Sequence, residues 1–320
     1  MWGFLTLALN FPLNVFVTIS NKAFFKTLQF PLPVTLAAVH MLFCFFFPAL
    51  LLRLGLASPP PPDSSRSSRD RRREWLLALV WALHIALSNV GLRSVSVHLF
   101  VTIKCAGPVA SALLSHLLLG RPTRPSSFFS LLLLAAGPSL AARAETFSGG
   151  EEAFWGAAAT AGVVLLTSLK VVLSTLLFAK NKQWDSLPLL GAMAPKACLL
   201  LLPWAAFEIV SAETPEEGKE FFSARMVALL CGSGTAAFCL NFNNFLMFKY
   251  MDSPVAVAVF TNLRKVVTIL ISILFFETGN VSSLNIVGMV ITFVGVAWFS
   301  MHEIQEKKRV QRKTVLEEIV

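Results

Sequence analysis

The sequence predicts an all-α polytopic membrane protein of ten transmembrane helices arranged as a 5+5 inverted repeat. Three observations carry that expectation. Of the 320 residues, 55% are hydrophobic and only 14% charged, a balance that soluble domains do not show. Ten apolar stretches are close to the roughly 20 residues a helix needs to cross a bilayer. Basic residues lie deep inside several of them, with Arg264 and Lys265 roughly eleven residues from either end of the run SPVAVAVFTNLRKVVTILISILFF, Ser253 to Phe276.

In chain order the spans fall near 3 to 20, 32 to 54, 75 to 93, 96 to 119, 127 to 143, 153 to 179, 188 to 211, 226 to 248, 253 to 276 and 283 to 301. The fourth, fifth and seventh carry Pro108, Gly137-Pro138, and Pro195 with Pro203. Neighbouring helices can satisfy the backbone groups that such residues free, so kinks are expected there. The ten spans divide into a first repeat over about 1–145 and a second over about 152–303, within one membrane domain covering 1–320. Within the spans, LLSHLLLGR (Leu113 to Arg121) echoes LISILFFET (Leu270 to Thr278), which sets Ser115 and Ser272 about 157 residues apart. Five is odd, so the halves would enter the membrane in opposite senses, the pattern of an inverted repeat with a midplane site. Apolar low complexity can produce the same echo.

An even number of spans places both termini on one side, and the basic tail within 304–320 assigns that side to the cytosol. The loop 55–74, SPPPPDSSRSSRDRRR at its core, reads as flexible, solvated and cytosolic. The RPTR loop after Gly120 and the stretch Lys180 to Asp185 fall on the same side. Opposite loops are acidic or nearly neutral, as at Glu151-Glu152 and ETPEEGKE, Glu213 to Glu220. Topology therefore accounts for most of the formal charge of +9. Nucleic acid is not an expected partner, and anionic membrane lipid is a secondary one.

Lys104, Lys170 and Lys196 join Arg264 and Lys265 inside apolar segments, whereas every Asp and Glu reads as lying in a loop, a tail or a segment end. Glu208, near the end of its span, comes closest to an exception. A charge at bilayer depth costs about 2.5 to 3.5 kcal/mol on insertion scales, and buried charge is normally paired. The expected partner is an anion supplied as ligand. Snorkelling of the long stems to the interface is the alternative, strongest for Lys196, about eight residues from its segment start.

Five cysteines lie in apolar stretches without CxxC spacing, so neither a disulfide framework nor a zinc site is indicated. His40, His84, His98 and His116 form no HxxH-type cluster, and no nucleophile-base arrangement is legible. The expectation is a protein that is not an enzyme and uses no metal or cofactor. Asn241, Asn243 and Asn244 make an amide cluster that could meet sugar hydroxyls or a base edge, or could equally bridge helices. Lys170 could line a cavity, act in a gate or serve a structural role.

Four stretches in order carry a resemblance to a known family. They are NKAFFKTLQFPLPVTLAAVH (Asn21 to His40), SNVGLRSVSVHLFVTIKCAGPVASALLSHLLLG (Ser88 to Gly120), SLKVVLSTLLFAKNK (Ser168 to Lys182) and LNFNNFLMFKYMDSPVAVAVFTNLRKVVTILISILFFE (Leu240 to Glu277). Together they resemble the triose-phosphate and nucleotide-sugar translocator family of the drug/metabolite transporter superfamily, over nearly the whole chain. The resemblance implies that Lys104, Arg264 and Lys265 hold substrate phosphate, with the family's Lys-Arg pair reversed to Arg-Lys. It places Asn241 where the family has an aromatic that meets substrate, Ser88 where it has Thr, and Gly107 where a Glu often stands. These departures argue against simple triose-phosphate specificity.

The expected function is thus antiport of a phosphate-bearing sugar metabolite, nucleotide sugar or sugar phosphate, against a phosphate-bearing counter-substrate by alternating access. Substrate-binding residues are Lys104, Arg264, Lys265, Asn241, Asn244 and Ser88, with Lys170 at a gate or cavity. Two signals conflict over substrate: the doubly basic pair leans toward sugar phosphates. The first segment has no basic n-region or cleavage site, and no Arg/Ser-rich transit peptide precedes it, which leans toward the Golgi or endoplasmic reticulum and nucleotide sugars. A plastid-type membrane is the alternative location, and a homodimer is left open. Rival functions are a proton-coupled metabolite exporter of the same superfamily and a non-transporting membrane scaffold. A proton relay generally needs intramembrane Asp, Glu or His chains.

Tags at both termini should face the cytosol and the ETPEEGKE loop the far side. Protease accessibility in sealed cell-derived vesicles checks this, and protection of both terminal tags would overturn it. The sequon Asn280-Val281-Ser282 lies almost at the membrane surface on the far side and should stay unglycosylated.

Overall fold

The computed structural model describes residues 2–59, 68–119, 125–180, 185–211, 224–250, 264–265, 267–271 and 282–319. Most of the run Ser253 to Phe276, including Ser272, lies outside the described residues, as do 60–67, the RPTR loop, 181–184, the ETPEEGKE loop and Asn280-Val281. The side chain of Ser115 lies outside them too. Among the described residues the elements are all helices: α1 (Trp2–Lys26), α2 (Pro33–Arg53), α3 (Ser68–Ser94), α4 (Val97–Lys104), α5 (Gly107–Leu119), α6 (Pro125–Lys180), α7 (Ser186–Ser211), α8 (Ala224–Tyr250) and α9 (Ser283–Ile319). Residues 264–265 and 267–271 are helical as well.

Among the described residues, six stretches are long and apolar enough to cross a membrane: Pro33–Arg53, Arg71–Ser94, Gly150–Val171, Ser186–Ser211, Ala224–Met247 and Ser283–His302. Their outer faces are apolar. On α7, Trp204 is 63% and Phe207 68% exposed, an arrangement suited to hydrocarbon and ruinous in water.

Local chemistry fixes the helix ends. The Ser96 hydroxyl accepts the Leu99 N–H at 3.2 Å to cap α4, and Asp185 accepts the Ser186 N–H at 2.6 Å ahead of α7. Leu32 offers α2 no side-chain cap. The Glu208 carboxylate on α7 replaces it, accepting the N–H groups of Val34 at 3.0 Å and Thr35 at 2.8 Å, where the helix dipole also favours an anion. At the other end of α3, Lys22 Nζ donates to the carbonyls of Leu92 at 2.9 Å and Arg93 at 3.3 Å. Next to it, Asn21 donates to Asn89 at 3.1 Å. Asn21 and Lys22, which open the first of the four family-like stretches, thus tie α1 to the end of α3.

Some expected boundaries move. α1 continues to Lys26 instead of ending near 20, and α3 begins at Ser68, so the last seven residues of the expected 55–74 loop are helical. The charged stretch Arg71-Arg72-Arg73-Glu74 is compatible with a first helical turn, and composition alone had assigned it to the loop. Of the expected kinks, a break falls at Cys105-Ala106, just before Pro108. Pro138, Pro195 and Pro203 lie inside helices that run through them. α6 joins the fifth and sixth spans across Gly150, whose φ of 65° is a conformation only glycine adopts readily.

The chain forms two compact units, one of residues 1–94 with 158–250, the other of 95–157 with 251–320. In the first, α2, α3, α7 and α8 enclose a core around Trp81, Met41 and Met193, with Ala37, Ala78, Ala194 and Ala197 letting the backbones approach. Phe47 and Phe238 stack across it at 4.8 Å. In the second, α6 and α9 meet backbone to backbone: a Cβ at Gly288 would stand 2.8 Å from both the Ala141 nitrogen and the Gly137 carbonyl oxygen.

Gly288→Ala should therefore force α6 and α9 apart and cost about 1 to 3 kcal/mol, read as a lower melting temperature in detergent. Gly232→Ala, where a Cβ meets nothing within 4 Å, should melt with the unaltered protein.

Candidate functional site

Lys104 ends α4 because the chain three and four residues later is committed to Gly107 and Pro108. Proline has no N–H, so the bond that the Lys104 carbonyl would accept from residue 108 in a continuous helix does not exist. That carbonyl accepts instead from Lys265 Nζ, at 2.8 Å across 161 residues of sequence. The Lys104 ammonium stands 4.7 Å from the ring centroid of Phe100, one turn back, where the negative face of the ring favours a cation. A Cβ at Gly107 would lie 3.7 Å from Lys265 Nζ, so this glycine flanks the same cation. Arg264 precedes Lys265 on its helical turn, and its carbonyl accepts the Thr268 hydroxyl at 2.9 Å. Lys104, Arg264 and Lys265 all belong to the second unit.

The remaining expected site residues belong to the first unit. Lys170, on α6, is 9% exposed, with its Nζ 6.0 Å from the centroid of the Trp81 ring. No carboxylate lies within ion-pair distance of it among the described residues. The Trp81 indole N–H and the Ser174 hydroxyl, one turn after Lys170, are buried without hydrogen-bond partners. Ser88 likewise has a buried, unpartnered hydroxyl.

The amide cluster on α8 is engaged within the protein. Asn10 of α1, fully buried, donates to Asn243 at 2.9 Å and Asn244 at 2.8 Å. Asn241 donates to the Ala237 carbonyl at 2.9 Å and to Cys44 Sγ at 3.7 Å. With both of its N–H groups directed inward, Asn241 keeps its side-chain oxygen as an acceptor. The helix-bridging role is thus visible for Asn243 and Asn244. Sequence reasoning missed Asn10, whose signal was an isolated amide inside an apolar span, and Trp81, which reads as ordinary core.

One expectation is overturned. Internal counter-anions are present: Glu74 is buried, and Lys196 Nζ lies 2.9 Å from its Oε2. Lys196 is therefore held by a carboxylate within the fold, because α3 starts early enough to carry Glu74 into the packed region. The five cysteines are free thiols, three of them buried. His40 bonds to Ser233 at 2.9 Å, and no group of three or more metal-ligating side chains occurs among the described residues.

A model of the Triose-phosphate Transporter family matches residues 3–300. The chain belongs to that family. UDP-galactose transporter 1 of Arabidopsis thaliana is 29% identical, over 93% of this chain and 83% of its own. GDP-mannose transporter GONST5 of the same plant is 30% identical, over 93% and 82%. The chloroplastic phosphoenolpyruvate/phosphate translocator 1 of Oryza sativa subsp. japonica is 28% identical, over 90% and 68%. A solved structure covering 93% of this chain and 96% of its own superposes with a TM-score of 0.58 at 14% identity, which shows a shared fold.

Glu74→Gln or Lys196→Met alone should destabilise the family member by about 3 kcal/mol at most, the lower end for a buried pair because Lys196 is part-exposed. The double substitution should recover much of the loss. Thermal unfolding in detergent measures the cycle, and strictly additive losses would refute a direct pairing.

Proposed function

We propose that this chain is a membrane antiporter that exchanges phosphate-bearing sugar metabolites by alternating access. One observation carries the reading. Lys265 reaches the backbone of Lys104, so two elements distant in sequence contribute cations to one neighbourhood of the second unit, with Arg264 adjacent in the chain. Guanidinium and ammonium groups match phosphate oxygens as bidentate fork and point charge respectively. Family membership and relatives named for UDP-galactose, GDP-mannose and phosphoenolpyruvate/phosphate transport support the substrate class.

In this reading Lys104, Arg264 and Lys265 neutralise the phosphate. Asn241, Asn244 and Ser88 meet the sugar or base, and Lys170 acts at the cavity or gate. The buried, unpartnered Ser88 hydroxyl supports polar recognition, since such groups ordinarily find partners. Asn244 would act while its side-chain oxygen remains bonded to Asn10.

The ten-helix 5+5 repeat belongs to the same proposal, with sequence repeats over about 1–145 and 152–303. Its support is that each compact unit draws one piece from each half. The second pieces begin 157 and 156 residues after the first, the spacing of the Ser115 and Ser272 echo. A Golgi or endoplasmic reticulum membrane with cytosolic termini is the proposed location, and the chloroplastic relatives keep a plastid-type membrane as the alternative. A proton-coupled exporter would need a carboxylate free to cycle protons, whereas Glu74 is held by Lys196.

Arg264→Ala and Lys265→Ala should each abolish uptake of UDP-galactose, GDP-mannose and phosphoenolpyruvate into proteoliposomes while membrane insertion is unchanged. Uptake by the unaltered protein should be strongly accelerated by internal phosphate-bearing partners and respond little to a proton gradient. Normal transport by Arg264→Ala sinks the phosphate site. Uptake into empty liposomes that follows the proton gradient favours the exporter.

A further inference from the structure

We propose that Pro108 is a positioning residue of the cation cluster: by withholding an N–H from the Lys104 carbonyl, it keeps that oxygen open as the seat on which Lys265 is placed. The inference rests on the phosphate-site reading only for its consequence in transport. Its structural part stands on the chain break alone.

The geometry is specific. α4 stops at Lys104 and α5 starts at Gly107, and the intervening N–H groups turn back to earlier carbonyls, Cys105 to Val101 and Thr102, and Ala106 to Ile103. In a regular helix the Lys104 oxygen points along the axis toward the N–H of residue 108. Proline removes that donor, and its ring also crowds the carbonyl four residues back, which turns the oxygen out of the ladder. A carbonyl turned out of its ladder within apolar surroundings is a strong acceptor site, and an ammonium is the strongest donor that can fill it. Lys265 Nζ does so at 2.8 Å. Gly107 allows the approach from its own side, since even a Cβ would only reach ordinary contact with that nitrogen.

Two consequences follow. The charge of Lys265 is partly solvated by a backbone dipole before any anion arrives, which lowers the cost of carrying it in the bilayer. An incoming phosphate then meets an ammonium whose position is already set, so less ordering is lost on binding. Restoring an N–H at 108 gives the Lys104 carbonyl a competing donor from its own helix and releases Lys265.

The test compares the full chain with Pro108→Ala and with a variant carrying lactic acid, the α-hydroxy analogue of alanine, at 108. Both variants lose the ring, and only Ala supplies an N–H. Each protein in detergent is acylated with an amine-reactive ester, and the rate at Lys265 is followed by mass spectrometry relative to the exposed Lys26 as internal reference. Lys265 should react at least fivefold faster in Pro108→Ala and within twofold of the unaltered rate in the lactic acid variant. Equal rates in all three overturn the proposal, as does equal acceleration in both variants, which would assign the effect to the ring. In proteoliposomes, Pro108→Ala should raise KM for UDP-galactose or phosphoenolpyruvate about tenfold with a smaller change in kcat, and the lactic acid variant should restore KM. If Lys265→Ala transports normally, the phosphate site fails, whatever the acylation rates. If Lys265→Ala is inactive while Pro108→Ala leaves both the acylation rate and KM unchanged, the site stands and the positioning role of Pro108 fails.

Discussion

A charge or an open backbone group inside hydrocarbon must find a partner within the protein or in a ligand, because no water is there to serve. The described residues answer this demand in three ways. Lys196 takes a carboxylate, Glu74. Lys22 takes the carbonyls at the end of α3, and Lys265 takes the carbonyl opened by the break before Pro108. Lys104 and Lys170 stand near aromatic faces. The differences matter because a carboxylate neutralises a cation, whereas a carbonyl or a ring only eases its desolvation. Sites of the second kind keep attraction for an anion, which is the property the proposed phosphate site would draw on.

The same demand separates structural polar groups from available ones. Asn243 and Asn244 spend their oxygens on Asn10, which fastens α1 to α8. Glu208 spends both oxygens on the start of α2. By contrast, the Ser88 and Ser174 hydroxyls and the Trp81 indole are buried in the first unit without partners. A bound polar ligand would change their energetics far more than those of the amide bridge.

Much of the fold was legible because a membrane span advertises itself as a run of apolar residues, so the described helices fall where such runs occur. Helix ends were less legible. Arg71-Arg72-Arg73-Glu74 read as loop by charge, yet the helix begins at Ser68 and carries Glu74 inward, which is why a buried counter-anion went unforeseen. The unusual depth of Lys104, Arg264 and Lys265 could be read from position alone. That the Lys265 side chain lands on the Lys104 backbone could not, since it depends on how a proline turns one carbonyl and on a contact across 161 residues.

The backbone contact of α6 with α9 has a consequence for the surrounding lipid. Where Gly137 and Gly288 bring peptide groups to within van der Waals distance, no acyl chain can wedge between the two helices. Along that stretch the seam is closed chiefly by peptide groups, so its tightness does not depend on long side chains that lipid could displace.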